Sequence, residues 1–301
     1  MHDQTHLIVG PGALGRLLAL HLIDVVPVVL SGRHTLPEEQ ALTTPDGEQH
    51  TRRLTLFKVD ELPPTPPAFL HLTTKAYAAQ AAYTAVMERL STTPILVLWQ
   101  NGYQSQPLLA RRHPGPVLCA STTEGAWLEG DMGVVHAGRG RTYVGDLANQ
   151  HGQYCHALAA LLNQAGLAAE AVDDIHTRLW HKLAVNAAIN PLTARFRIRN
   201  GQLREAAFRS QVEQIVDEVA AIMMAEGITA PQAGWHGLVW QVVEATASNR
   251  ASMLQDVLAG RPVEREAILG PLLDAARRHA ITAPQLSKLD DFLSRLPTAQ
   301  R

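Results

Sequence analysis

The sequence predicts an α/β N-terminal domain built on a parallel sheet, followed by an all-α C-terminal domain. Three observations carry this expectation. A short apolar run, Leu7-Ile8-Val9, enters a glycine-rich turn and then a helical run. From there to about residue 170, β-rich runs alternate with helical ones, as they do where crossover helices join parallel strands. From about residue 171 onward the pattern is helical throughout. A chain of 301 residues is long enough to bury two sizeable cores. The expected division therefore gives residues 1–170 to the first domain and 171–301 to the second.

The first strand runs into Gly10-Pro11-Gly12-Ala13-Leu14-Gly15, a G-x-G-x-x-G motif, with helical Arg16 to Leu22 behind it. The first glycine permits the tight turn, the second lets backbone approach a diphosphate, and the third lets helix pack on strand. The helix N-terminus offers free N–H groups and the positive end of its dipole to phosphate. The motif thus predicts a Rossmann-type, dinucleotide-binding domain in which Gly10, Pro11, Gly12, Ala13, Leu14 and Gly15 cradle the cofactor.

The second strand, Val25 to Leu30, ends at Ser31-Gly32-Arg33. NAD sites commonly place an acidic residue here, on the ribose 2′-hydroxyl, whereas an arginine suits a 2′-phosphate. No acidic residue precedes Arg33, and a guanidinium grips phosphate with two prongs. NADP(H) is therefore expected over NAD(H).

The next strands are Phe69 to Thr74, with a helix from Ala76 to Leu90 behind it; Ile95 to Trp99, followed by Gln100-Asn101-Gly102; and Val117 to Ala120. Ligands in such folds bind at the carboxyl ends of strands. That rule brings forward Lys75, Asn101 and the Ser121–Ala126 loop, although Asn-Gly is also a common turn pair. Residues 63–67 read as a short stiff loop, and Val134–His136 with Thr142–Gly145 as a hairpin.

In the helical half the expected helices are Ile175–Asn190, Arg204–Glu226, Gly237–Ala259, Glu264–His279 and Pro284–Arg295. The first carries Lys182, Asn186 and Asn190 at i, i+4 and i+8, which aligns an ammonium and two carboxamides on one face. Asparagine disfavours helix interiors. Such a row reads either as a polar strip facing a cleft, able to bind and protonate a small oxygen-rich substrate, or as a solvated stripe ending at Pro191. A cleft between the two domains is the expected place for chemistry.

Composition narrows the classes. A formal net charge of −2 sets up no field that would draw nucleic acid or an anionic membrane. The 14 histidines show no metal-ligand spacing, so no metal site is expected. Cys119 and Cys155 do not form a C-x-x-C pair and are expected to be reduced and inert, as in a cytoplasmic protein. No signal-peptide pattern and no apolar run of spanning length is present. The apolar faces of the helical half suit either core or the surface of a homodimer.

Several of these segments resemble the ketopantoate reductase (2-dehydropantoate 2-reductase) family. The matching pieces are the Gly10–Gly15 motif, Thr73-Thr74-Lys75-Ala76, Gln100-Asn101-Gly102 and Ser121–Ala126, then Trp180–Asn186, Asn190–Ala194, Ser252-Met253-Leu254-Gln255-Asp256 and Glu264. They occur in family order and at family spacing. The resemblance implies NADPH-dependent reduction of 2-dehydropantoate to (R)-pantoate, a step of pantothenate synthesis. It implies that Lys182 is the proton donor, that Glu264 is a catalytic carboxylate near the nicotinamide, and that Asn101 touches both cofactor and substrate. It also implies substrate contacts from Asn186, Asn190, Asn200 and Ser252, and cofactor contacts from Lys75, Ala126 and Arg33.

The chain departs from the family pattern after Glu264. Arg265-Glu266 and then Leu269-Gly270 stand where the family often has Ile-Asp and an Asn-Gly pair. Glu124 adds an acid on a strand-end loop, where it could alter substrate choice. Two alternatives accompany the reading: a same-fold reductase of another 2-oxo or 3-oxo acid, and a non-catalytic NADP(H)-binding protein.

Overall fold

Fully apolar strands need helices on both faces, and this requirement shapes the first half of the molecule. The computed structural model describes residues 4–63 and 66–296. Its elements begin with β1 (His6–Val9), α1 (Ala13–Leu22), β2 (Val28–Gly32), β3 (Glu39–Thr43), β4 (Gln49–Arg53), β5 (Thr55–Lys58), β6 (Phe69–Leu72) and α2 (Ala76–Met87). They continue with β7 (Ile95–Leu98), α3 (Ser105–Arg112), β8 (Val117–Thr122), β9 (Gly125–Glu129), β10 (Gly133–Gly138), β11 (Thr142–Gly145), α4 (Gly152–Gln164) and β12 (Ala169–Ala171). The helical remainder is α5 (Ile175–Phe196), α6 (Ala206–Ala225), α7 (Gly234–Ala245), α8 (Ser252–Leu258), α9 (Arg265–Ile268), α10 (Gly270–Arg278) and α11 (Pro284–Ser294). The expected loop at 63–67 falls partly on Pro64 and Thr65, outside the described residues.

The chain forms two compact units, residues 1–100 with 105–176, and residues 101–104 with 177–301. The division falls later than the 170/171 expected from the sequence because β12 completes the first unit's sheet, pairing with β11. Residues 101–104, read as a turn within the α/β half, join the helical unit through Tyr103 N–H donating to the Ala267 carbonyl at 3.2 Å.

The main sheet of the first unit has the order β12-β11-β8-β7-β6-β1-β2-β5. Every neighbouring pair is parallel except β8 with β11. Strand β1 lies between β2 and β6, so chain direction across the sheet reverses at β1 and its carboxyl end is the topological switch point. The glycine turn begins there.

Inside the sheet sits a polar chain. The Trp99 indole donates to His71 Nδ1 at 3.2 Å, and His71 Nε2 lies 2.9 Å from His6 Nδ1. An indole N–H only donates, so His71 carries its proton on Nε2 and donates to His6. Both imidazoles are fully buried, His6 stacks on Phe69, and His6 Nε2 finds no partner among the described residues.

A second sheet, order β4-β3-β10-β9, was not anticipated. It corrects the expected hairpin: β10 pairs with β9 and β3, while β11 pairs with β8 and β12. The true unit is a two-stranded ribbon, β8–β9 against β10–β11, that bends from one sheet into the other. The bend has a cause. Thr123 and Arg141 exchange hydrogen bonds across it, and the buried Glu124 carboxylate accepts the Gly140 N–H at 2.8 Å and the His136 ring at 2.6 Å. Glu124, expected from the sequence as a loop acid that could alter substrate choice, is instead bonded into the bend as a structural plug. Burial opposes its charge, but the His136 and Gly140 bonds outweigh it and hold its pKa below the ordinary carboxylate range.

In the second unit α5 runs through Pro191 to Phe196, beyond the expected stop. An internal proline removes one helix bond and costs about 3 kcal/mol. Burial of Trp180, Leu183, Ala187, Ala188, Ile189 and Leu192 around α5 offsets that cost. Two of the other expected helices are broken, Gly237–Ala259 into α7 and α8, and Glu264–His279 into α9 and α10, while Arg204–Glu226 stands as the single helix α6.

Candidate functional site

The first unit supplies a cradle for a phosphorylated ligand. Gly10 has φ +111°, and a Cβ there would lie 2.6 Å from the Thr74 amide nitrogen; at Gly15 a Cβ would strike the Gly10 carbonyl. Both positions are closed to any side chain. Gly12, the cap of α1, faces open space instead, which is what backbone meant to approach a ligand requires. Two buried hydroxyls beside the turn, Ser31 Oγ and Thr74 Oγ1, find no partner among the described residues. A diphosphate and its riboses offer groups for both. The donor set, the open glycine and the helix end fit a dinucleotide.

Arg16, absent from the sequence expectations, props this turn. Its guanidinium is buried and donates to the Pro11 carbonyl at 3.0 Å, to Gln40 Oε1 at 3.1 Å and to the Asp131 carbonyl at 2.6 Å. The sequence signal is an arginine in the first turn of a helix whose only other polar side chain is His21. Lys75 caps α2 at the carboxyl end of β6, half-buried. Ala126 lies in β9, on the second sheet, and Arg33 is exposed just past β2.

The second unit groups a lysine, a carboxylate and a carboxamide. Lys182 is half-buried on α5. Burial lowers its pKa to about 8, against an opposing pull from Glu264. Glu264 is 5% exposed and caps α9. Asn101 Nδ2 donates to Glu264 Oε2 at 3.2 Å, and the same carboxylate acts electrostatically on Lys182. The chain reaches Asn101 through Gly102, with φ +82°, where a Cβ would strike the Ala267 carbonyl. Arg265, in the segment that departs from the family, ties α9 to Asp290: its Nη1 donates to both carboxylate oxygens at 2.8 Å.

Of the remaining predicted residues, Asn186 and Asn190 continue the Lys182 row on α5, half-buried and buried respectively. Asn200 is buried and donates to Thr246 Oγ1 at 2.9 Å, while its Oδ1 has no partner among the described residues. Its backbone N–H donates to the Asn249 carbonyl, which ties it to the loop that leads into exposed Ser252 at the start of α8. Buried Asp256 pairs with Arg261 at 2.9 Å and closes the loop between α8 and Glu264.

Gly102→Ala tests this arrangement. A non-glycine residue forced to positive φ costs about 1–3 kcal/mol. The clash also pushes Asn101 away from Glu264, so kcat/KM is expected to fall by about 10². Denaturation midpoints and steady-state rates check both. Full activity in a variant that has lost stability would detach Asn101 from the chemistry.

Among the described residues no group of His, Cys, Asp and Glu is placed to hold a metal, and no helix is long and apolar enough to cross a membrane. Cys119 and Cys155 are buried free thiols whose pKa values burial pushes up, that of Cys155 to about 11. A thiol kept protonated is inert.

Known proteins resemble the chain over most of its length. A relative from Vibrio cholerae, named 2-dehydropantoate 2-reductase, is 35% identical over 291 residues, covering 94% of each chain. One of the same name from Archaeoglobus fulgidus is 32% identical over 283 residues, covering 93% of this chain and 94% of its own. The fold matches a solved 2-dehydropantoate 2-reductase from Methylococcus capsulatus with TM-score 0.84 at 24% identity, over 99% of this chain and 98% of that one. It also matches a D-mandelate dehydrogenase solved with NADH and anilino(oxo)acetate, with TM-score 0.88 at 20% identity, over 96% and 97% of the two chains. The sequence model of the ketopantoate reductase PanE/ApbA family matches residues 6–149, and the model of its C-terminal part matches 174–295. Matched in chain order through both of its units, the chain belongs to the ketopantoate reductase PanE/ApbA family.

Proposed function

We propose that the protein reduces 2-dehydropantoate to (R)-pantoate with NADPH, a cytoplasmic step of pantothenate biosynthesis. The observation that carries this reading is the Lys182–Glu264–Asn101 group within a chain of this family. In the proposal the first unit, through Gly10–Gly15, Lys75, Ala126 and Arg33, holds the cofactor, which when bound supplies the hydride. The second unit supplies the proton and the substrate contacts. The Lys182 ammonium stabilises charge growing on the ketone oxygen and gives up its proton to it. Glu264 favours the charged lysine and can accept a hydrogen bond from a substrate hydroxyl. The carboxamides of Asn186, Asn190 and Asn200 donate and accept, so they suit a hydroxyl and a carboxylate, and the Ser252 hydroxyl can donate to the carboxylate.

A second reading, reduction of another 2-oxo acid, is favoured by the altered segment after Glu264, where the Arg265–Asp290 pair is built in. Rates of NADPH oxidation with 2-dehydropantoate and a panel of 2-oxo acids, repeated with NADH, separate the two. Fast turnover confined to 2-dehydropantoate with NADPH is the expected result. Turnover confined to a different oxo acid would replace the substrate and keep the Lys182 chemistry. NADPH binding without turnover on any substrate would leave a binding protein.

A further inference from the structure

We propose that Lys58 and Glu61 form the selector that distinguishes a nucleotide bearing a ribose 2′-phosphate from one bearing a free 2′-hydroxyl. The proposal rests on reading the first unit as an NADP(H) site. A depression of about 40 Å³ opens at the carboxyl end of β2, bounded by Pro11, Ser31, Gly32, His34, Lys58 and Glu61. Pro11 belongs to the glycine turn, so the depression adjoins the diphosphate cradle, where the adenosine ribose of a bound dinucleotide falls. The sheet register pairs Gly32 with Lys58, the last residue of β5, and so sets the lysine beside the end of β2. Ser31 contributes the buried, unpartnered hydroxyl noted above.

Lys58 Nζ lies 2.9 Å from Glu61 Oε1, three residues on, in the turn that follows β5. The two side chains are 38% and 54% exposed, so water screens the pair and its bond is easily exchanged. A 2′-phosphate carries close to two negative charges and three acceptor oxygens, and it outcompetes one carboxylate for the ammonium. A ribose without that phosphate presents a hydroxyl instead, for which the Glu61 carboxylate is an acceptor. One ion pair thus holds a partner for each cofactor. Arg33, the reader expected from the sequence, is exposed and is not among the residues lining the depression.

The test is calorimetric binding of two probes to the full chain: adenosine 2′,5′-bisphosphate and adenosine 5′-monophosphate, which differ only in the 2′-phosphate. Lys58→Met keeps the apolar stem and removes the charge. It is expected to weaken the bisphosphate by about tenfold to a hundredfold, the range of a lost charged hydrogen bond, and to leave the monophosphate within about twofold. Glu61→Gln frees Lys58 and is expected to shift the preference the other way, tightening the bisphosphate relative to the monophosphate. Retained monophosphate binding shows that each variant is folded. A preference unchanged by Lys58→Met, or equal weakening of both probes, overturns the selector while the cofactor site stands. Failure of the unsubstituted protein to bind either probe overturns the cofactor reading and the selector with it.

Discussion

Lys182→Ala is expected to lower kcat for ketone reduction by about 10²–10⁴, the usual contribution of general acid catalysis, while NADPH binding stays close to that of the parent chain. The expectation follows from where the side chain sits. Its carrier helix is anchored by apolar burial on either side of Lys182, at Trp180, Leu183 and Ala184, so the truncated variant keeps its helix. Its pKa of about 8 matches a proton donor working near neutrality. A donor must carry its proton, so reduction is expected to be flat below about pH 8 and to fall as pH rises through it, with the reverse oxidation showing the opposite trend. Glu264→Gln removes the group that favours the charged lysine, and the falling limb is then expected at lower pH. Steady-state rates between pH 6 and 10, with NADPH affinity measured separately, decide the matter. Near-normal kcat in Lys182→Ala would sink the assignment of the proton donor.

How much of this was legible in the sequence depends on what kind of pattern each part leaves. The glycine turn was legible because Gly10 and Gly15 admit no other residue and the apolar strand before them is unbroken. The Lys182 row was legible because two asparagines on an apolar helix contradict their own propensity. The second sheet was not, because β4 reads Gln49-His50-Thr51-Arg52-Arg53 and is exposed along nearly its whole length, leaving no alternation to find. The bend between the two sheets was hidden for another reason. It depends on one buried carboxylate, and the distance in sequence from Glu124 to His136 and Gly140 gives no hint of the closure. Pro191 misled because propensity is local while the burial that overrides it is not. Lys58 and Glu61 leave no signal in the sequence, since only the β2–β5 register sets Lys58 beside Gly32.

The largest effect expected on stability lies away from the chemistry, in the buried His6–His71–Trp99 chain. Burial lowers the His6 pKa from 6.5 to about 4, and it pushes His71 well down as well, with His6 adding to the effect. Both rings are neutral in the fold, and the unfolded chain binds their protons more readily below pH 6.5. Folding therefore loses stability as pH falls from 6.5 towards 4, at about 1.4 kcal/mol per pH unit for each such group. The loss for His6 alone reaches about 3 kcal/mol at the bottom of that window. His21 and His113, also lowered by burial, add to the same slope. Carboxylates with depressed pKa values, Glu124 and Asp24 among them, work in a lower window and leave pH 7 to 5 to the histidines. In His6→Asn the side-chain oxygen can take the His71 N–H where Nδ1 did, and it cannot titrate. Urea unfolding at pH 7, 6 and 5 is expected to show the parent losing about 2 kcal/mol more than His6→Asn across that range. Equal pH slopes in the two proteins would mean that His6 accepts a proton in the fold as easily as out of it, and the neutral chain through the sheet would have to be redrawn.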